Sequence, residues 1–496
     1  MNTEIEIDSK IIKAGFWHMP KLFYLILFIE LFERFVFYGF QTIVFVYTKN
    51  FNISLSNKIS LTSFNIILYA LIISGGVIGD KILGLRRSYI SGLLFLLFGY
   101  SFLFIFNNFL PFNFCVGLIL IGNILFKTNA VNYVSRCFEA KDPRLDAAYT
   151  YFYMFMSIGC FVGIVLVPIL IKAKFSSIIF FPLFILLDIL IYLVFKKEFI
   201  HSDNHSGKNS RFLGRANFVV IVMGVIVAYL LGLLLERLDF CQYVFYLFSS
   251  LTIIICLLLA IKLDKNESKG IYLALNLILI ASVFWIIFLQ IILVISTFSL
   301  HYVKFNLFGY DVSRNVINYF NPFLIIIFAP IFAKLYIFLQ KQNIKVSIPL
   351  KFNLAIAILG ISLLILAVAT KYFIDINYQI SVGWVFLIDI LLSFSVLLVL
   401  AIGSSMVAQL FPKRFGSFAQ GVWFLAIAIG ILIKDKIFAF VYVLFDAANN
   451  SHITIFNSYS MLFLKFGLII IAFSLFLLFF SKMLMEKMQE VIIHRT

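Results

Sequence analysis

The sequence predicts an all-α polytopic membrane protein, on three observations. Of its 496 residues, 63% are apolar and only 12% are charged. A soluble domain carries roughly twice that charged fraction, so this chain cannot cover a water-facing surface. Apolar runs of about twenty residues, the length that crosses a bilayer as a helix, recur along the chain, and the mean hydropathy is +1.07. The basic residues behind the net charge of +16 sit in short connections between those runs. They do not form one stripe, which argues against nucleic acid and for loops that orient a membrane protein.

Apolar runs read against polar breaks place spans near 21–47, 61–83, 88–107, 113–134, 147–172, 176–195, 216–235 and 241–262. Six more follow near 270–299, 317–340, 349–370, 379–410, 418–446 and 455–482. That makes about fourteen, and no loop is long enough for a separate soluble domain. The long polar linker His201 to Arg215 follows the sixth span and reads as a flexible tether. Two six-helix bundles are therefore expected, over 1–200 and 266–496. A linker and an inserted transmembrane hairpin lie between them at 201–265. Paired bundles of this kind commonly hold a solute site between the halves at mid-membrane.

One set of loops carries Lys81/Arg86/Arg87, Arg136/Lys141/Arg144, Lys196/Lys197/Lys208/Arg211/Arg215, Lys262/Lys265/Lys269, Lys341/Lys345/Lys351 and Lys413/Arg414. Lys10, Lys13, Lys21, Lys482 and Lys487 near the termini fall on the same side. The opposite loops are poorer: Asn107 and Asn108 are uncharged, and Glu236 to Asp239 is balanced. The positive-inside rule makes both termini cytoplasmic. The start, MNTEIEIDSKIIKAGFWHMPK, lacks the basic-then-apolar form of a cleaved signal, so the first span is expected to stay in the membrane. Cys115, Cys137, Cys160, Cys241 and Cys256 show neither a disulfide framework nor zinc spacing. The six histidines are dispersed, and no nucleophile–base set appears; neither an enzyme nor a cofactor or metal is expected.

Ionisable side chains at mid-membrane cost several kcal/mol and are functional candidates for that reason. The first span, LFIELFERFVFYGFQ, contains Glu30, Glu33 and Arg34 on one side of a helix. Glu30 and Arg34 stand at ion-pair spacing, and two acids beside one base leave a carboxyl able to hold or pass a proton. A buried pair that only fixes packing is the plainer alternative. Lys127, in LIGNILFKTNAVNYV, either snorkels to the interface or meets Glu30 or Glu33 inside the membrane. Asp188 and Asp389 are intramembrane acids without a partner visible in sequence, and for Asp188 packing and function weigh equally. In GGVIGDKILGLRRSYISG, Gly75 and Gly76 allow close helix approach. Asp80 with Arg86 and Arg87 can form a charge clamp there, whereas the spacing fits no phosphate-binding loop.

These residues resemble a known family. Glu30-Leu-Phe-Glu33-Arg34-Phe35 followed by Tyr38-Gly39 is similar to the E-x-x-E-R-F-x-Y-Y-G signature of the proton-dependent oligopeptide transporters, within the major facilitator superfamily. Gly75-Gly76 through Asp80 to Gly84 is similar to G-G-x-x-A-D-x-x-x-G, and Lys127 falls on the family's fourth-helix lysine. Phe152-Tyr153 to Ser157 and Gly159 resembles F-Y-x-x-I-N-x-G, with Ser157 for Asn. Phe284-Trp285 to Gln290, Asn321-Pro322 and Gly421-Val-Trp423 match further positions in order, so the resemblance covers most of the chain. The first motif is highly specific; the others are individually weak.

The resemblance implies a major facilitator fold and a proton-coupled symporter of di- or tripeptides, or peptide-like solutes, working by alternating access. It implies proton coupling at Glu30, Glu33 and Arg34. Substrate contacts are expected from Arg34, Tyr38, Tyr69, Lys127, Ser157, Trp285, Gln290, Asn321 and Trp423, with Gly75, Gly76, Asp80 and Arg86 as a gating motif. Its partners would be protons and a peptide or small organic anion; the chain would sit as a monomer in the lipid of a bacterial inner membrane. There are departures. The family's helix-7 glutamate is Leu289 here, its helix-10 glutamate aligns with Val396, and the helix-1 tyrosine pair is Phe37-Tyr38. An ammonium buried without a partner is costly, which favours an anionic or differently shaped substrate. Asp389, seven residues before Val396 and so about 10.5 Å along a helix, is the candidate replacement, as acceptor for a substrate ammonium or as an auxiliary proton site; an acid facing a polar group of a neighbouring helix is the equal alternative. The alternatives are a carrier of another small carboxylate or anion, and an antiporter-like subunit of a redox-driven proton pump. The pump subunit should have central charges on several successive spans, and ASVFWIIFLQIILVIS and FGLIIIAFSLFLLFF have none.

Overall fold

A computed structural model of the chain describes residues 16–50, 61–105, 109–139, 142, 144–173, 177–201, 210–307, 309–314, 316–342, 346–446 and 452–493. Lys10 and Lys13, Asn107 and Asn108, Lys141, Lys208, Lys345 and most of the His201–Arg215 linker lie outside these residues.

Fourteen long helices follow one another. They are α1 (Lys21–Asn50), α2 (Leu61–Val77), α3 (Leu85–Ile105), α4 (Phe109–Arg136), α5 (Leu145–Lys172), α6 (Phe180–Val194) and α7 (Ser210–Leu234). The rest are α8 (Leu238–Lys262), α9 (Lys265–Tyr302), α10 (Val316–Lys341), α11 (Ile348–Tyr372), α12 (Val382–Leu410), α13 (Gly416–Asp446) and α14 (His452–Ile493). Among the described residues, twelve of these helices are long and apolar enough to cross a membrane. Of the remaining two, α1 carries Glu30, Glu33 and Arg34 in its interior, and α6 has only 15 residues. The sequence-based spans coincide with these fourteen; the largest difference is at α14, which runs on to Ile493.

The ends of the helices follow local chemistry. Ser347 and Ser381 cap α11 and α12 through their side-chain oxygens. Val77 leads into a π-helical turn, Ile78–Leu83, which ends at Gly84 with φ 84°; that backbone suits glycine. Two-residue strands pair Val303–Lys304 with Ile380–Ser381 in parallel, and Asn306–Leu307 with Tyr310–Asp311 as a hairpin.

Helices pack both within each half and across the halves, where α5 lies against α10 and α2 against α13. α1 packs on α5 and α6, and α3 on α4 and α6; in the second half α9 packs on α13, and α11 on α12 and α14. The hairpin α7–α8 lies against α4 and α2. Small residues permit this: a Cβ on Gly117 would stand 1.9 Å from the Ala228 carbonyl oxygen, and one on Gly232 2.4 Å from that of Asn113. Ser91 donates to Asn217 at 3.0 Å and Asn113 to Glu236 at 2.6 Å, tying the hairpin to α3 and α4. The tightest approach is inside the first bundle, where a Cβ on Gly75 would meet the Ile124 carbonyl oxygen at 1.8 Å. Gly75→Ala is therefore expected to destabilise the protein by about 1–3 kcal/mol through overpacking. A heating series followed by size-exclusion chromatography checks this; an unchanged melting profile would show that the helices can part at no cost.

Candidate functional site

The site grows from α1. Its helical period brings Glu30 beside Arg34, whose Nε lies 3.0 Å from Glu30 Oε1, and the guanidinium also pairs with Glu33. All three side chains are almost completely buried. Phe37, one turn on, is shared by two cations: the Arg34 Cζ lies 4.9 Å from its ring centroid and the Lys127 Nζ 4.4 Å. Lys127 also stands 5.2 Å from the Tyr69 ring. The negative faces of two rings thus offset part of the repulsion between Arg34 and Lys127.

Lys127 is 4% exposed and does not snorkel. It forms no ion pair with Glu30 or Glu33 among the described residues, although both act on it electrostatically; aromatic faces stand against its ammonium instead. It faces a cavity of about 400 Å³ between the bundles. Arg34, Tyr38, Tyr69, Tyr153, Trp285 and Lys434 contribute to its wall. Glu30 and Glu33 stand behind Arg34, outside that wall.

Five expected substrate contacts do not line this cavity. Ser157 donates to the Tyr153 carbonyl oxygen of its own helix, 2.9 Å away. Gln290 lines a different, apolar groove bounded by α9, α11, α13 and α14. Asn321 donates to Ser393 at 2.9 Å and links α10 to α12. Trp423 is fully buried on Gly403 of α12, where any Cβ would stand 2.1 Å from the indole. Asp389 is 6% exposed and also lies outside the wall; the residue of α12 that reaches the cavity is Leu400, one turn beyond Val396. The face match across two turns placed Asp389 on the right helix but not at the cavity. Lys434 was overlooked, although IKDK interrupts an apolar span and is a visible signal.

The cavity stretches from Tyr153 and Arg34 at mid-membrane toward Gln41, Leu61 and Lys434, away from the basic loops. Toward the basic end the bundles are joined. Tyr153 and Ser404 hydroxyls meet at 2.7 Å, and Gln420 donates to Tyr149 at 3.1 Å. Asn132 donates to Ser417 at 2.8 Å, and Arg136 to the Lys413 carbonyl oxygen at 3.0 Å. Asp146 of α5 accepts from Lys351 at 2.8 Å and from Ser405 at 2.5 Å.

Asp80 corrects an expectation. It is not clamped by Arg86 or Arg87; it accepts from the backbone N–H groups of Ser417 and Phe418 at 3.1 and 2.8 Å. The free N–H groups and positive end of α13 satisfy the carboxylate in the arginines' place. Gly76 makes room for this, since its Cβ would stand 2.5 Å from the Ser417 carbonyl oxygen. Asp80→Ala is expected to weaken this closure by about 0.5–2 kcal/mol, the worth of a helix cap. In a cysteine-less background with Ser404→Cys, maleimide supplied from the basic side should then label several-fold faster. Equal labelling with and without Asp80→Ala would refute the closure role.

The helical architecture agrees with the comparison with known proteins. The POT family model matches residues 87–462. The chain belongs to the POT family. As a POT member it is a membrane transporter and not an enzyme. It is 30% identical over 441 residues to dipeptide and tripeptide permease B of Salmonella typhimurium, covering 87% of this chain and 88% of that one. With the permease B of Photorhabdus luminescens it shares 29% over 438 residues, 87% and 90% of the two chains. Its fold is similar to that of a bacterial homologue of the human drug peptide transporters PepT1 and PepT2. That match has a TM-score of 0.66 and 23% identity, over 94% of this chain and 99% of that one. It is also similar to a POT family transporter solved with 5-aminolevulinic acid, with a TM-score of 0.66 and 21% identity over 95% and 98%.

Proposed function

We propose that this POT member is a proton-coupled symporter of di- and tripeptides, with Arg34 and Lys127 receiving the substrate carboxylate. The observation that carries the reading is the convergence of these two buried cations on one mid-membrane cavity, with Arg34 also held by two acids. Substrate carboxylate competes with Glu30 and Glu33 for Arg34, and a proton taken up by that pair offsets the lost charge. Release of Asp80 from α13 and of Asp146 from Lys351 then opens the basic end. The relatives named permeases of di- and tripeptides support the substrate class.

In this reading the bundles are 1–200 and 266–496, joined by 201–265, and both termini are cytoplasmic in a bacterial inner membrane. The cavity then faces outward. The carrier works as a monomer. Tyr38, Tyr69 and Trp285 shape the pocket, with Tyr153 and Lys434 added from the cavity wall.

One observation favours a second reading, an anion or acidic-peptide carrier. The described residues that line the cavity include three cations and no carboxylate. Uptake into proteoliposomes, with and without an inward proton gradient, separates the two. Neutral tripeptides accumulating best support the first reading; small dicarboxylates or N-acylated peptides doing so support the second.

A further inference from the structure

α6 carries an acid with no place in the cavity. Its outward face is Leu183, Leu186, Leu187, Leu190 and Leu193, all exposed toward lipid. Its inward stripe is Phe181, Ile185, Asp188 and Tyr192, so Asp188 falls in the middle of an apolar packing face. The carboxyl is fully buried, and neither of its oxygens has a hydrogen-bond partner. A carboxylate in such surroundings costs several kcal/mol, and a leucine would pack there without that cost.

The neighbours of Asp188 give it a use. α6 packs on α1 and α3. From α1, Glu33 and Glu30 act on Asp188 electrostatically; Arg34 on that helix is engaged with both glutamates. From α3, Asp188 acts on the Tyr89 hydroxyl, and Glu33 on that of Tyr100. Both hydroxyls are fully buried and lack a partner. The Tyr89 ring continues this cluster toward the basic end, through Tyr133 at 5.2 Å and Phe199 at 6.1 Å, with Tyr192 on Phe199 at 5.2 Å. Glu198, in the short helix after α6, pairs with Lys21 at 3.7 Å. Asp188 lies six residues before Val194, about 9 Å from the end of its helix. It stands between the acids of α1 and the basic end, on the far side of Arg34 from the cavity.

We propose that Asp188 is a third proton-carrying carboxyl of this transporter, placed to receive the proton of the Glu30/Glu33 pair and release it at the basic end. In that step the O–H bond of the Glu33 carboxyl breaks, one forms on the Asp188 carboxylate, and Glu33 is left ionised against Arg34. Water at the basic end then takes the proton from Asp188, so one proton crosses without any redox change. Tyr89, whose buried hydroxyl lacks a partner, stands on the Asp188 side of that step.

The inference rests on the symport reading, and the test separates the two. Full-length protein is reconstituted, and trialanine counterflow is compared with trialanine uptake driven by an inward proton gradient. Asp188→Asn should keep counterflow within about twofold of wild type and lower gradient-driven uptake tenfold or more, with Asp188→Glu restoring at least half. Infrared difference spectra between low and high pH, which need no substrate, should show a protonated-carboxyl band that Asp188→Asn removes. Gradient-driven uptake and spectrum both unchanged in Asp188→Asn overturn the proposal. So does an equal loss of counterflow and driven uptake in both variants, which marks a packing role. If wild type transports trialanine with no response to the gradient, the symport reading fails and takes the relay with it.

Discussion

Lys127→Ala and Arg34→Ala are each expected to lower affinity for carboxylate-bearing substrates about tenfold to a hundredfold. Hydrogen bonds to a charged group contribute about 1.5–3 kcal/mol each, and about 1.4 kcal/mol is a factor of ten. The two variants differ in their side effects. Lys127 is held by the faces of Phe37 and Tyr69, so its removal strands no charge. Arg34 is the counter-charge of Glu30 and Glu33, and breaking a buried pair destabilises by about 3–5 kcal/mol. Arg34→Lys keeps the charge and loses the fork that addresses two partners, so it separates binding from folding. Titration calorimetry on purified protein checks both sites. Near wild-type affinity in Lys127→Ala and Arg34→Lys together would remove the clamp.

Glu33→Gln is expected to leave counterflow measurable and to remove acceleration by a proton gradient; Glu30→Gln with Glu33→Gln should abolish gradient-driven accumulation entirely. Two carboxyls share one guanidinium through Glu30 Oε1 and Glu33 Oε2, and their other two oxygens have no hydrogen-bond partner. One guanidinium balances the charge of only one of the two carboxylates, which leaves the other to exchange a proton. Neutral amides at both positions cannot take part in that exchange. Accumulation that still follows the gradient in the double variant would move the coupling site elsewhere, and Asp188→Asn would then be the informative comparison.

Sequence by itself determined the fold class, the fourteen helices and the α1 motif. Each depends on local physics: about twenty apolar residues make a spanning helix, and a four-residue spacing sets Arg34 beside Glu30 whatever surrounds them. Gly75 and Gly76 likewise announced a close helix approach. Tertiary structure alone decided which polar residues share a cavity. Helical period says which face a residue occupies, but not what that face meets, since rotation and tilt are set by packing against neighbours. Gln290 and Asp389 were therefore assigned to the cavity and lie outside it, while Lys434 and Leu400 reach its wall. Asp80 was read against the arginines six and seven residues on, yet its partner is the N-terminus of α13, more than three hundred residues away. A backbone donor exposed by helix geometry carries no residue type that a sequence can display.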